Sequence, residues 1–174
     1  MRADDEAQIV ACIPSLRRYA RGLTGNPEQA DDLVQDTLER AWSRFSRWQR
    51  RGELRAWMFG IMHNHFIDGL RARRRQAEHD AGPELPDIPV RATQADALEV
   101  RDLGRSLARL PPELREVLLL VAVEEFSYRE AAQVLQVPMG TVMSRLSRAR
   151  ERLAALLQAR PDAGREAGHL HSVK

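Results

Sequence analysis

The chain has 174 residues, enough for one ordinary domain or two small ones. Its single cysteine excludes a disulfide framework and a cysteine-based metal site. The formal net charge is only +2, yet all but one of the 27 basic residues are arginine, the side chain best suited to forked contacts with phosphate groups and guanine edges. A codon bias towards arginine is the alternative explanation for this composition.

The sequence has no segment typical of a membrane protein or a secreted protein. Its longest apolar run, VLLLVAV at 117–123, is far too short to span a bilayer. The opening stretch, MRADDEAQIV, is acidic and lacks the apolar core of a signal peptide. We therefore expect a reduced, cytoplasmic protein with no membrane insertion.

Helical periodicity runs through residues 1–75 and resumes at 98, without strand-like alternation. The segment between them, 76–97, has three prolines and five acidic residues against one arginine, which is typical of a flexible linker. We predict an all-α fold in which two small helical domains, 1–75 and 98–159, are joined by this acidic, proline-containing linker. The tail at 160–174 has no pattern, and we expect it to be disordered.

The stretch GNPEQADD predicts the start of a helix in the first domain, with Asn26 as the N-cap and Pro27 at the first helical position. The apolar stripe that follows includes Trp42 and predicts the buried face of this helix. The opposite face is polar, and the pattern alone favours a solvated surface over a binding surface. Its members are Asp32, Gln35, Asp36, Glu39 and Arg40.

Positive charge and aromatic rings are concentrated in the same part of the first domain. Residues 44–75 hold nine arginines and two acidic residues, and Trp42–Phe66 contains six of the nine aromatic residues of the chain. This combination is typical of a groove for single-stranded nucleic acid, where stacking contributes ~1–3 kcal/mol per base. The alternative is an aromatic core. Trp48, in the arginine-rich loop, is the best candidate for an exposed ring.

A further helix is predicted over Leu54–Arg75, and four of its polar residues share one face because of their i, i+4, i+7 and i+11 spacing. Asparagine can read adenine, and arginine can read guanine or bind phosphate. An ion pair between Asp68 and Arg71 explains the same spacing equally well. The four residues are Asn64, Asp68, Arg71 and Arg75.

The HNH stretch at 63–65 is not expected to bind a metal. On a helix of ~3.6 residues per turn, His63 and His65 point roughly 200° apart. No carboxylate or cysteine stands nearby at ligand spacing. We predict no metal site, no cofactor and no catalytic residue, since the sequence contains neither a nucleophile–base pair nor a phosphate-binding loop.

The second domain contains the pattern of a helix-turn-helix. The stretch SYRE predicts a capping box, with Ser127 as the cap and Glu130 bonding back to it. The short helix that follows ends at the turn VPM, and a longer helix begins near Gly140. The polar face of the longer helix suits the major groove of DNA, although an ordinary surface helix has a similar pattern. This face consists of Thr141, Ser144, Arg145, Arg148 and Arg152.

Three segments, ADDLVQDTLERAW, LRAWMFGIMHNHFIDGLRARRR and SYREAAQVLQVPMGTVMSRLSRARERL, resemble in order and spacing those of the extracytoplasmic-function sigma factors. These are the small two-domain members of the major bacterial sigma family, and the resemblance covers about Leu16 to Leu157. It implies a sigma region 2-like domain at 1–75 and a region 4-like domain at 98–159. The implied function is promoter-specific transcription initiation as a monomer within the RNA polymerase holoenzyme, regulated by an anti-sigma factor.

The resemblance also implies roles for individual residues. For the polar face of the helix that begins after Asn26, the implied role is binding of core RNA polymerase. Many relatives carry a basic residue at the position of Met143 and an aromatic one at Ser147, which affects promoter preference. Core RNA polymerase is contacted by Asp32, Gln35, Asp36 and Glu39. The minus-ten element is contacted by Trp48, Arg55, Asn64, Asp68, Arg71, Arg74 and Arg75. The minus-thirty-five element is contacted by Thr141, Ser144, Arg145, Ser147 and Arg148.

Two other functions are compatible with parts of this pattern. A decoy would bind an anti-sigma factor without initiating transcription, but such proteins carry a receiver domain that this sequence lacks. A dimeric helix-turn-helix repressor would leave the arginine-rich and aromatic region unexplained, and no dimerisation helix stands out. We expect a protein that is not an enzyme.

Overall fold

The structure, a computed structural model, describes residues 3–48, 53–79 and 97–158. The secondary structure of these residues is entirely helical, which confirms the predicted all-α class. Most of the predicted linker, 80–96, and the predicted tail, 160–174, lie outside the described residues.

The helices of the described chain fall into two groups, one on each side of the predicted linker. The first half contains α1 (Ala3–Thr24), α2 (Pro27–Arg44) and α3 (Leu54–His79), with a 3-10 turn at Phe45–Arg47. The second half contains α4 (Ala97–Ala108), α5 (Pro112–Leu118), a π-helical turn at Leu119–Val123, α6 (Tyr128–Leu135) and α7 (Met139–Gln158).

The start of α2 follows from local rules, as predicted. The Asn26 side-chain oxygen accepts hydrogen bonds from the backbone N–H of Glu28 at 2.9 Å and of Gln29 at 3.1 Å. Pro27 occupies the first helical position, where its missing N–H has no intrahelical partner to lose. Gly25 makes the tight turn out of α1 with φ of +65°, a conformation that favours glycine.

The first half departs from the sequence-based expectation at two places. The helix α3 continues to His79 rather than ending at Arg75. The prediction that Trp42 lies on the buried face of α2 is wrong, because its side chain is 57% exposed. Ala41 takes the fully buried position instead, and Trp42, ~100° further round the helix, faces solvent.

The second half is a helix-turn-helix supported by α4 and α5. Its capping box is confirmed: the Ser127 N–H donates to Glu130 Oε2 at 2.8 Å, and the Glu130 N–H donates to Ser127 Oγ at 3.2 Å. The pKa of the Glu130 carboxyl lies below its ordinary value of 4.5, chiefly because the Ser127 hydroxyl donates to Oε2 at 2.6 Å and secondly because the Ser127 N–H donates to the same atom. Gln136, in the left-handed conformation with φ of 53°, ends α6 and leads into the turn before α7.

The two halves pack against each other and share one continuous apolar core. The rings of Phe59 on α3 and Phe126 before α6 meet edge to face, with centroids 5.0 Å apart. Gly22 on α1 lets Leu119 approach so closely that an added Cβ would lie 2.7 Å from Leu119 Cδ1. The sequence, read as two domains on a tether, did not predict this contact.

Buried polar groups of the second half also bond to the first half. Arg115 donates to the backbone oxygen of Leu23, and burial lowers the pKa of its guanidinium. Glu116, which is 1% exposed, contacts His63 Nδ1 at 2.6 Å through Oε1. Because buried polar groups require partners, these contacts make the packing of the two halves specific as well as apolar.

Replacing Ser127 by alanine removes the cap of α6. We expect Ser127→Ala to lower the free energy of unfolding by about 0.5–2 kcal/mol, measured by urea denaturation at pH 7. The matched control is Ser43→Ala, at an exposed position on α2, with an expected change within about 0.5 kcal/mol. Equal effects of both substitutions would contradict the role of the cap.

The contribution of Glu130 to this capping box depends on pH. Since its pKa is lowered in the folded chain, the carboxylate stabilises the fold above its ordinary pKa of 4.5, and this stability is lost as the pH falls through the lowered value. The difference between the wild type and Glu130→Gln, measured by urea denaturation, is therefore expected to shrink below pH 4.5. A difference in the free energy of unfolding that is constant from pH 7 to pH 3 would contradict the stabilising role of the Glu130 carboxylate.

Candidate nucleic-acid and polymerase interfaces

The recognition face predicted on α7 lies outside the core. Val142, Leu146 and Ala149 are buried on one side of the helix, and this burial orients the opposite side towards solvent. Of the five predicted minus-thirty-five residues, three are exposed and two lie at the margin of the buried stripe. The exposed residues are Ser144, Ser147 and Arg148, and the marginal ones are Thr141 and Arg145.

Three arginines of α7 line an open cleft on one flank of this face. Arg145, Arg148 and Arg152 follow each other at spacings of three and four residues, so they stand one above the other along the helix. The other wall contains Glu113 near the start of α5, and Glu151 also lines the cleft. The cleft therefore has three arginines against two glutamates, an excess of one positive charge beside the exposed serines.

Sequence reasoning assigned no DNA contact to two apolar side chains at the start of α7. Met139 and Met143 are 51% and 50% exposed, and they lie one turn apart on the flank opposite the arginines. Large apolar side chains on a DNA-facing helix can contact the methyl group of thymine. The available signal was their position, since Met139 is the last residue of the predicted turn VPM and Met143 follows one helical turn later.

The predicted minus-ten residues of α3 are distributed along its exposed side. Asn64, Asp68, Arg71 and Arg75 are all exposed, as is Arg74. Arg71 and Asp68 approach to 3.9 Å with side chains 73% and 64% exposed, a pair that solvent screens strongly. Asn64 also contacts the second half, since Gln136 Nε2 donates to its side-chain oxygen at 3.4 Å.

The expectation that Trp48 has a freely exposed ring is wrong, because neighbouring aromatic residues cover part of it. Its ring stacks on Trp57 with centroids 5.6 Å apart and 27° between the planes. Phe45 packs against it at 5.6 Å, and its Nε1 atom is buried. One face of the indole is therefore occupied by protein, and only part of the ring remains accessible.

Arg55, another predicted minus-ten residue, points towards the second half. Its Nη2 atom donates to the backbone oxygen of Glu124 at 2.7 Å and to Glu124 Oε2 at 3.1 Å. The guanidinium also lies 4.3 Å from the centroid of the Phe126 ring, a cation–π contact. In this arrangement Arg55 is engaged by protein.

The polar face of α2 forms an exposed acidic surface. Gln35 Nε2 donates to Glu39 Oε1 at 3.2 Å, and His65 Nε2 lies 2.7 Å from Asp36 Oδ2. A small apolar cleft lies beside this surface, with Leu33 among its lining residues. The predicted members Asp32, Gln35, Asp36 and Glu39 are all exposed, and His65 of α3 is a neighbour that sequence reasoning missed.

The two histidines of the HNH stretch point to different partners. His63 contacts Glu116 of α5, whereas His65 contacts Asp36 of α2. Within the parts of the chain that the structure describes, no three metal-ligating side chains come together. Among those same residues, no helix is long and apolar enough to cross a bilayer.

Comparison with known proteins identifies the family. Residues 9–63 match the family model of the sigma2 domain of PhyR, and residues 101–153 match that of Sigma-70, region 4. The chain is 41% identical over 149 residues to the ECF RNA polymerase sigma factor EcfG of Rhodopseudomonas palustris, an alignment that covers 86% of this chain and 82% of that protein. The chain belongs to the extracytoplasmic-function sigma factors.

Other relatives agree with this assignment. The RNA polymerase sigma factor CnrH of Cupriavidus metallidurans is 38% identical over 157 residues, with 83% of this chain and 82% of that protein covered. The sigma factor RpoE of Bartonella quintana, solved in complex with the anti-sigma factor NepR, superimposes with a TM-score of 0.81 at 32% identity over 92% of this chain and 100% of that one. CnrH in complex with the cytosolic domain of CnrY gives a TM-score of 0.68 at 29% identity over 90% of this chain and 89% of that one.

The family assignment confirms the function predicted from the sequence. This extracytoplasmic-function sigma factor is a transcription initiation factor that associates with core RNA polymerase and directs it to specific promoters. Its second half carries the sigma region 4 that binds promoter DNA. The roles of individual residues are a separate matter.

Proposed function

We propose that this sigma factor reads the minus-thirty-five element with α7, contacts the minus-ten element with α3, and binds core polymerase through the acidic face of α2. The observation that carries the proposal is the exposed polar face of α7, opposite a buried stripe, in a region matched to sigma region 4. The corresponding division is a region 2-like domain at 1–75 and a region 4-like domain at 98–159. The protein acts in the cytoplasm, without a cofactor or catalytic residue of its own.

The α7 face has the dimensions and chemistry for direct reading of DNA. The major groove is about 12 Å wide and admits an α-helix. Ser144, Ser147 and Arg148 are exposed on α7 and reach base edges, with Thr141 and Arg145 at the margin of the same face. The flanking arginine cleft binds phosphate groups, which fixes the register of the helix in the groove.

The α3 surface has the chemistry for strand opening. Exposed Arg71, Arg74 and Arg75 supply the positive charge that binds the DNA backbone, and Asn64 and Asp68 supply groups that bond to an extruded base. Extruding a base costs a few kcal/mol, so a surface that binds the extruded base stabilises the melted DNA. The accessible part of the Trp48 ring remains the aromatic candidate beside this surface.

The exposed face of α2 is acidic, whereas those of α3 and α7 carry arginines, and its charge suits a partner other than DNA. Asp32, Asp36 and Glu39 are exposed carboxylates that would repel DNA, and a basic protein surface complements them. Gln35 adds a hydrogen-bonding group in the same face. We therefore assign the core polymerase to α2 and the promoter to α3 and α7.

An anti-sigma factor is a further proposed partner. RpoE of Bartonella quintana and CnrH are sigma factors of the same fold that were solved in complexes with NepR and CnrY, respectively. The present chain superimposes on both over about nine-tenths of its length, covering 92% and 90%. We infer that a protein of this class holds the chain inactive.

A decoy is the second candidate, and one observation favours it. The family model that matches the first half is that of PhyR, and the PhyRSL–NepR complex from Sphingomonas sp. Fr1 superimposes with a TM-score of 0.59 at 27% identity. The similarity to EcfG at 41% identity and to RpoE at a TM-score of 0.81 favours the sigma factor. Co-elution of the purified chain with core polymerase distinguishes the two, because a decoy would not co-elute.

Two arginines of α7 test the minus-thirty-five assignment. We expect Arg145→Ala and Arg148→Ala each to weaken binding to the cognate promoter by ~1–3 kcal/mol, because each removes a charged base or phosphate contact. The measurement is holoenzyme binding to promoter DNA by fluorescence anisotropy. Arg129→Ala, at an exposed position of α6, is the control. Promoter binding at wild-type strength by both α7 variants would overturn the assignment.

A charge reversal tests the polymerase interface. We expect Asp36→Arg to weaken the affinity for core polymerase at least tenfold. The variant places a cation opposite the proposed basic surface of the partner, and like-charge juxtaposition at an interface costs several kcal/mol. The control is Asp31→Arg, on the same helix but paired with Arg17 at 3.9 Å. Circular dichroism checks that both variants fold. Assembly of Asp36→Arg with wild-type affinity would remove the acidic face from the interface.

Met143 tests whether α7 recognises thymine by its methyl group. Replacing a thymine of the minus-thirty-five element by uracil removes one methyl group, and we expect this to cost the wild type ~0.8 kcal/mol. The same replacement is expected to change nothing for Met143→Ala. Scanning each thymine in turn by anisotropy identifies the contacted base, and an equal response of both proteins at every position would contradict the contact.

A further inference from the structure

The interface between the two halves contains one fully buried carboxylate held by two arginines. Glu124 follows the π-helical turn of the second half, and its side chain is 0% exposed. Arg18 on α1 donates through Nε to Oε1 and through Nη2 to Oε2, both at 2.8 Å. Arg55 on α3 donates to Oε2 at 3.1 Å. Both cations belong to the first half, and the anion belongs to the second.

The geometry of this cluster resembles a site for a phosphate group. Two parallel N–H donors of Arg18 bind the two oxygens of one planar anion, and the same fork fits two oxygens of a phosphate. The arginine side chains remain 55% and 38% exposed, so they already border solvent at the mouth of a cleft that also contains Val123. Glu125 also lines this cleft, so the two arginines are balanced by two carboxylates, of which only Glu124 is hydrogen-bonded to them.

The closed arrangement is too small for the proposed function. The positions that name the minus-ten and minus-thirty-five elements differ by about 25 base pairs, which is roughly 85 Å at 3.4 Å per base pair. A compact chain of 174 residues has a radius of gyration of only ~16 Å. The halves must therefore separate before α3 and α7 can occupy both elements, and Arg18 and Arg55 then lose Glu124.

We propose that Arg18 and Arg55 form a phosphate-binding pair for promoter DNA, and that Glu124 occupies this pair in the closed arrangement. The inference rests on the proposed function, because it takes α3 as the minus-ten surface. Glu124 acts as an intramolecular competitor of the DNA backbone. The contact of Gln136 with Asn64 blocks a second residue of the same surface in the closed form.

If Arg18 and Arg55 bind Glu124 in the closed form and DNA phosphate in the open form, removing the anion and removing the cations have opposite effects on the affinity for DNA. Glu124→Gln keeps the shape of the side chain but removes its charge, which weakens the ion pairs with both arginines and therefore the closed form. The bond of Arg55 to the backbone oxygen at this position is lost only when the halves separate. Arg18→Gln and Arg55→Gln also weaken the closed form, but each removes a contact to DNA. A simple interface between the halves would make all three variants bind DNA more tightly.

The experiment measures two quantities on the full-length chain. Small-angle X-ray scattering gives the radius of gyration, and fluorescence anisotropy with a mixed-sequence duplex of about 40 base pairs gives the Kd at several salt concentrations. We expect Glu124→Gln to increase the radius of gyration and to tighten DNA binding by about tenfold, the equivalent of one charge-assisted hydrogen bond. We expect Arg18→Gln and Arg55→Gln to increase the radius of gyration, to weaken binding, and each to reduce the salt slope of log Kd by about one.

Two further variants serve as controls. Glu6→Gln removes an exposed charge of α1 that does not line this cleft, and it is expected to leave the radius of gyration unchanged and the Kd within about threefold. Gly22→Leu separates the halves by displacing Leu119 without changing any charge, and it should tighten DNA binding as Glu124→Gln does. This second variant keeps the test valid if Glu124→Gln fails to fold.

Three results would overturn the proposal. Wild-type size and affinity of both Glu124→Gln and Gly22→Leu would show that Glu124 does not compete with DNA. Tighter DNA binding by the arginine variants would show that these side chains serve only the closed interface. An unchanged salt slope in those variants would show that neither arginine binds phosphate. Because none of these measurements involves polymerase, failure here is distinguishable from failure of the proposed function, which polymerase co-elution tests.

Discussion

The arrangement of the two halves depends on the burial of Glu124. A carboxylate without exposed surface is strongly unfavourable unless cations bind it, and here Arg18 and Arg55 supply both the charge and the hydrogen bonds. The surrounding contacts, such as that between Phe59 and Phe126, lower the local dielectric and strengthen these ion pairs. Separating the halves lets water solvate all three charges, which offsets part of the loss. A buried ion pair of this kind gives specificity to the packing of the two halves, and in the proposal above it is the contact that breaks when they separate.

The interfaces are positioned by what is buried behind them. On α7, the buried side chains of Val142, Leu146 and Ala149 determine which residues can reach DNA, because they fix the rotation of the helix about its axis. On α2, the buried position of Ala41 turns Trp42 outward next to the acidic face. Each proposed binding surface therefore lies opposite a buried stripe, and its orientation is a consequence of helix packing.

Charge distinguishes the exposed surfaces of the different helices. The exposed side of α3 and the flank of α7 are rich in arginine, whereas the exposed side of α2 is acidic. The proposed assignment of partners follows this pattern, because DNA is attracted to an arginine-rich surface and repelled by an acidic one. His65 links the two kinds of surface, because it belongs to α3 and contacts Asp36 of α2.

The sequence by itself determined the features that depend on neighbours along the chain: the Asn26 cap, the capping box of Ser127 and Glu130, the helix-turn-helix and the family. The caps and helices rest on contacts within about four residues, which periodicity and cap chemistry describe, and the family rests on the order and spacing of three motifs along the chain. Only the tertiary structure decided that Trp48 stacks on Trp57 and that Arg55 faces Glu124, a residue 69 positions away. Contacts at such separations depend on how whole helices pack, and helical periodicity contains no information about which buried stripe meets which.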